Sequence, residues 1–129
     1  MIALISGING FIGKHLSDAL LQKGFQVAGI PRDLFTNVDA LTHYLIDVHP
    51  DYIFHLAQYG GQIGQTDLDE VVATNIFATY VLLRYSEQLP YSAFIYTGTS
   101  SEYGKKGKAM KETDLVEPLT PYALSLIHI

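Results

Sequence analysis

Cysteine is absent from the 129 residues, which excludes disulfides and thiolate chemistry and fits a reducing compartment. Charge is sparse. Only 16% of residues are charged, and 8 Lys and Arg stand against 13 Asp and Glu, for a net charge of −5. The basic residues are scattered, so no nucleic-acid surface is expected. No basic stretch precedes the opening run Met1 to Ser6, and that run is too short for a signal peptide or a membrane span. A soluble, cytoplasmic chain with no membrane partner is therefore expected. Internal repeats, low-complexity tracts and linkers are also missing. What remains is a 48% hydrophobic chain long enough for one domain with a real core.

Short apolar runs alternate with helical patterns. Strands are expected at Ile2–Ile5, Val27–Ile30, Tyr52–Ala57 and Ala93–Thr97. Between them, Ile12, Leu16, Ala19 and Leu20 form a helical stripe over 12–23, with Gly24 placed as a helix stop. A modest helix is predicted over 37–47 from Val38, Leu41, Leu45 and Ile46. The longest runs over 67–88, with Thr66 and Asp67 as capping candidates. Val72, Tyr80 and Leu83 on it are expected in the core or on a dimer face. Strands apolar on both sides and separated by helices predict a doubly wound parallel sheet of the Rossmann type. A polar loop rich in Gly and Lys follows from about residue 100 to 118. Its Lys105, Lys106 and Lys108 read as a solvated surface.

The sharpest motif is Ser6-Gly7-Ile8-Asn9-Gly10-Phe11-Ile12-Gly13, set between the first strand and the first helix. That is the context a dinucleotide-binding loop requires. Gly7 permits the turn out of the strand, Gly10 leaves room for a pyrophosphate, and Gly13 allows close helix–strand packing. The helix start then offers free N–H groups to the phosphates. A phosphate loop of the NTPase type is excluded: Ile8 stands where its first glycine belongs, and His15 where its Ser or Thr belongs. His15, His43, His49 and His55 lack metal-ligand spacing and read as surface or packed histidines, so no metal is expected.

The spacing Gly7-x-x-Gly10-x-x-Gly13 resembles the short-chain dehydrogenase/reductase superfamily. Further segments agree in order. His55-Leu56-Ala57-Gln58 resembles that family's His-Leu-Ala-Ala, and Asn75-Ile76-Phe77-Ala78-Thr79 its Asn-Val-x-Gly-Thr. Phe94 through Gly104 is similar to the Phe-Val-Tyr-x-Ser-Ser-Ser-x-x-Tyr-Gly of epimerases and dehydratases. Glu112 and Pro118 through Ser125 resemble the stretch ending in that family's Tyr-x-x-Ser-Lys. The resemblance is to the extended branch, the NAD(P)-dependent epimerase/dehydratase family. It implies hydride transfer on a nucleotide sugar, with Tyr122 as the base and Thr99 bonding the same substrate oxygen. A phenol ionises near pH ~10 when unperturbed, so that base needs help from its surroundings. The resemblance further implies cofactor contacts from Gly7, Gly10, Phe11, Ile12, Gly13, Leu56, Ala57, Gln58 and Thr97, and substrate contacts from Thr99, Ser100 and Ser101. It also implies a homodimer of the full-length protein.

Three departures qualify this. The usual third strand is shortened, since little separates Arg32 from the helix at Val38. Ser100-Ser101 replace the Asp-Glu typical of sugar-nucleotide dehydratases, which argues against water elimination. Leu126 stands where the family carries its lysine. The expected domain organisation is thus an incomplete NAD(P)-binding domain over 1–123, inactive by itself, and a non-native tail over 124–129. That hexapeptide matches one reading frame of a transposase adapter used in sequencing. Pro31 occupies the place of the acidic residue that holds an NAD ribose, and Arg32 follows, a partner for a 2′-phosphate. The cofactor expectation therefore leans to NADP over NAD. Two other readings remain open: an NADP-dependent reductase of another carbonyl substrate, and a non-catalytic NAD(P)-binding protein.

Overall fold

The computed structural model describes residues 1–127; positions 128 and 129 of the expected tail lie outside the described residues. The chain divides into two compact units. One comprises Met1–Ala57 and Ala78–Thr97, the other Gln58–Phe77 and the residues from Gly98 on.

The first unit carries a parallel sheet. Strands β1 (Ile2–Ser6), β2 (Gln26–Ile30), β3 (Tyr52–His55) and β4 (Ala93–Tyr96) lie in the order β2-β1-β3-β4. In register, Leu4 faces Ala28 on one side and Ile53 on the other. Helix α1 (Phe11–Gln22) links β1 to β2. A 3-10 turn (Arg32–Thr36) and α2 (Val38–Val48) lead into β3, and α4 (Ala78–Ser86) precedes β4. Alternate residues of β1 enter two cores. Leu4 joins Ile30, Phe35, Leu41, Leu45, Ile53 and Leu82, whereas Ala3 and Ile5 join Leu20. This is the doubly wound sheet that the periodicities predict.

Local chemistry sets the element ends. Asn37 caps α2 by accepting from the Ala40 amide at 3.2 Å. Gly24, at φ 81°, follows the end of α1 as a residue without a Cβ can. The shortened third strand is a 3-10 turn, in which Phe35 is buried while Arg32 remains exposed.

The second unit opens with α3 (Leu68–Val71), capped by the Asp67 carboxylate, and a π turn (Val72–Phe77). It continues with a 3-10 turn (Ser100–Tyr103) and α5 (Pro121–Leu126). The helix expected over 67–88 is an unbroken helical run from Leu68 to Ser86 whose middle, Val72–Phe77, is π-helical, and Val72 and Tyr80 are exposed rather than in the core. The lysine loop is pinned more than its composition implies, by ion pairs of Lys106 with Glu117 and Lys108 with Asp114. Among the described residues, no helix is long and apolar enough to cross a membrane.

Candidate functional site

In the first unit the glycine loop leaves β1 beside the point where the chain's course through the sheet reverses, between β1 and β3. Open parallel sheets bind ligands there, at the carboxyl ends of the strands. Gly7 has φ 73°, and a Cβ on it would stand 2.9 Å from the Ala57 amide nitrogen. A Cβ on Gly13 would overlap the Gly7 carbonyl oxygen and reach 2.7 Å from Ile8 Cα. Only glycine fits either place, so the loop packs tightly on itself and on the end of β3. The Gly10 amide donates to Gly7 O at 2.9 Å and closes the turn. Helix α1 starts at Phe11 with no side-chain cap and no acidic residue in its first turn. Its leading N–H groups and positive dipole end therefore lack a side-chain anion, the condition for receiving a phosphate. Phe11 and Ile12 are both exposed there.

Beneath the loop lies a buried polar chain. Ser6 Oγ accepts from the amides of Leu56 (3.1 Å) and Ala57 (3.2 Å). Its own proton is then directed to His55 Nδ1, 2.5 Å away, and His55 Nε2 bonds Thr79 Oγ1 at 2.8 Å. Ser6, His55 and Thr79 are fully buried. The chain joins the end of β1 to Leu56-Ala57, two of the residues expected to line the cofactor. Thr97, another of them, directs its amide and hydroxyl to His55 O, each at 3.3 Å. His55 is thus a bonded core histidine. The sequence left surface or packed open for it, and its two partners lie too far away in sequence to be read locally.

In the second unit Tyr122 sits in the first turn of α5, which Thr120 caps by accepting from Ala123 N at 3.1 Å. Pro121 takes the first helical position, where its missing N–H costs nothing. The Tyr122 hydroxyl donates to Gln58 Oε1 at 2.9 Å. Gln58, expected among the cofactor contacts, is therefore a partner of the expected base. A Cβ on Gly61 would stand 3.1 Å from the Tyr122 hydroxyl, so this glycine leaves the phenol its space. A cavity of about 300 Å³ adjoins Tyr122, with Gln65, Thr66, Leu68 and Val71 among its walls.

Thr99 is the cap of the 3-10 turn. Its hydroxyl accepts from Ser101 N at 3.3 Å, and its amide donates to Glu102 Oε1 at 2.7 Å. Its O–H can still donate elsewhere, while Ser100 and Ser101 are exposed. Helix α5 packs against this turn and against the π turn.

The residue that sequence reasoning missed is Asn75. It is fully buried in the π turn. Its Oδ1 accepts from Tyr59 N, and its Nδ2 donates to Tyr59 O and to Ser125 Oγ, all at 2.8 Å. Ser125 Oγ in turn donates to Tyr122 O at 2.8 Å. The Asn-x-x-Ala-Thr motif marks the position, yet only the fold shows the partners. Leu126 is buried at 2% exposure and offers neither charge nor donor to Tyr122.

The model of the NAD dependent epimerase/dehydratase family matches residues 3–129. The chain belongs to that family. Among its relatives is YtcB of Bacillus subtilis (strain 168), named as an uncharacterized UDP-glucose epimerase, at 30% identity over 97% of this chain and 48% of that protein. CDP-abequose synthase of Yersinia pseudotuberculosis is 26% identical over 86% of this chain and 44% of its own length. The crystal structure of UDP-glucuronic acid 4-epimerase from Bacillus cereus, in complex with NAD, superposes with a TM-score of 0.80. It is 31% identical, over 98% of this chain and 49% of that one. The chain thus spans about half the length of the family members it matches. The family is NAD(P)-dependent, but the NAD in that crystal structure lends no support to the lean toward NADP that Arg32 prompted.

Proposed function

We propose that this chain is the dinucleotide-binding part of an enzyme that moves hydride on and off a nucleotide sugar, with NAD as cofactor and Tyr122 as the base. The observation that carries this reading is the tight glycine loop, packed on the end of β3 and feeding an uncapped helix start. Gly7, Gly10 and Gly13 with the α1 amides would hold the pyrophosphate, Leu56, Ala57 and Thr97 would line the dinucleotide, and Arg32 would face the adenosine ribose. When bound, the nicotinamide supplies the acceptor and donor of hydride. Tyr122 takes the proton of the sugar hydroxyl on its phenol oxygen as that carbon is oxidised, and returns it on reduction. Thr99, whose hydroxyl proton is not committed to the cap, would donate to the same sugar oxygen, with Ser100 and Ser101 near the substrate. Relatives named for UDP-glucose, CDP-abequose and UDP-glucuronic acid support a nucleotide sugar as substrate.

Leu126 gives the phenol no cation, so the chain as it stands is expected to bind dinucleotide without turning over sugar. Titration with NADH, followed by nicotinamide fluorescence, tests the reading. The Gly10→Ala variant adds a Cβ, at an ordinary φ of −73° and 3.1 Å from Gly7 O, to the loop that would hold the pyrophosphate. Its affinity should fall at least about tenfold, 1.4 kcal/mol. Equal affinity in both proteins would remove the glycine loop from the site.

A further inference from the structure

The cavity beside Tyr122 lies wholly within the second unit. Its volume, about 300 Å³, stands at the lower end of small-ligand sites. Leu68, Val71 and Pro121 give it apolar surface, and Gln65, Thr66 and Thr120 give it polar groups. Among the described residues, no Lys, Arg, His, Asp or Glu belongs to its walls.

Gln65 is placed by the loop that leads up to it. Gly60 has φ 100°, and a Cβ there would come within 3.1 Å of Val71 Cγ2 and 3.3 Å of Tyr122 Cβ. Glycine therefore lets the chain pass between α3 and α5. The amides of Gly60 and Gln62 then both donate to Gln65 Oε1, at 3.0 and 3.1 Å. Two N–H donors can converge only on the oxygen of a carboxamide, so the other tip is Nε2. Its two N–H groups have no partner among the described residues. The Thr120 hydroxyl oxygen accepts from Ala123 N, which leaves its proton to donate. Held donors thus share the wall with apolar surface, and no charge stands among them. That chemistry matches a ring with hydroxyl oxygens at its rim and C–H groups on its faces. A carboxylate on the ring would find no cation, and an unpaired buried charge is costly. Asp67, Asp69 and Glu70, neighbours of Thr66 and Leu68 in sequence, add only charge of the same sign.

We propose that this cavity receives the sugar ring of a nucleotide-linked neutral hexose, with Gln65 as donor to its hydroxyl oxygens, and that it discriminates against a hexuronate. Resting on the proposed nucleotide-sugar substrate, this assignment decides between two sugars for which relatives are named, those of UDP-glucose and UDP-glucuronic acid.

The chain carrying 15N-glutamine is titrated with UDP-glucose, UDP-glucuronic acid and UDP, with and without NADH, and its side-chain amide signals are followed by NMR. The Gln65 pair is assigned by its loss in Gln65→Glu, which keeps an oxygen for both loop amides and lacks the donors. UDP-glucose should shift this pair saturably, and UDP should leave it unmoved. UDP-glucuronic acid should bind at least about tenfold more weakly than UDP-glucose. Folded Gln65→Glu should lose about tenfold in UDP-glucose affinity. Leu68 is 58% exposed, so Leu68→Trp fills the cavity from its surface side without disturbing the core, and it should weaken UDP-glucose by a similar factor. A Gln65 pair that ignores UDP-glucose or answers equally to UDP would overturn the proposal. So would equal affinity for the two sugars, or unchanged affinity in both folded variants. NADH affinity on the same samples reports the proposed cofactor separately. NADH binding beside a silent Gln65 removes the sugar cavity and leaves the dinucleotide site, and a Gln65 response without NADH binding does the reverse.

Discussion

Ser6 shows how much one hydroxyl can organise. It is fully buried, receives two amides from the residues after β3, and gives its proton to His55. Losing the buried hydroxyl is costly for the Ala57 amide and the His55 imidazole, while the Leu56 amide keeps Ser6 O as a second acceptor at 3.2 Å. Ser6→Ala should therefore destabilise the chain by roughly 1–3 kcal/mol. Urea unfolding followed by circular dichroism measures this. A change within about 0.5 kcal/mol would show that the buried chain contributes little, since most surface substitutions fall in that range. The same residue explains a limit of sequence reading. Ser6 and His55 stand 49 positions apart, and neither periodicity nor propensity connects them.

At the scale of elements, Tyr44 ties α2 to the sheet by donating to the Gly29 carbonyl of β2 at 2.6 Å. Burial raises its pKa above the ordinary 10.0, so the folded chain holds this proton more tightly than the unfolded chain does. The stabilisation is fully present below pH 10 and is lost as pH rises through the folded value. Tyr44→Phe should cost about 1 kcal/mol at pH 8. Its deficit against the parent should shrink at strongly alkaline pH, where only the parent loses this contribution. Urea curves at the two pH values decide it, and a deficit that grows with pH would contradict the assignment. The strands and helices of the sheet unit were legible because burial on both faces leaves apolar runs and i, i+4 stripes. The π turn was not, because it depends on the bonds of Asn75 to Tyr59 and Ser125, 16 and 50 residues away. The end of β3 at His55 rather than Ala57 has a similar cause. The Leu56 amide is shared between Ser6 O and Ser6 Oγ, the Ala57 amide turns to Ser6 Oγ, and the apolar run continues past the strand.

At the scale of the whole chain, the glycine motif, the parallel sheet and the family were readable from order and spacing. The cofactor's phosphate state was not, because it turns on how an exposed Arg32 meets a ligand. NAD and NADP differ by one phosphate on the adenosine ribose, and a guanidinium pairs with phosphate in two parallel hydrogen bonds. If NAD is the cofactor, that pairing is not part of the site. A ligand that binds only the folded chain stabilises it by about 2.7 kcal/mol at one hundred times its dissociation constant. For a chain of this size that is a rise on the order of 10 °C in Tm. NADH should produce such a rise, NADPH at equal concentration a smaller one, and Arg32→Ala should leave the NADH rise intact. A larger rise with NADPH that Arg32→Ala abolishes would restore the NADP reading. No rise with either nucleotide would mean that the glycine loop, however well formed, does not bind a dinucleotide within this chain.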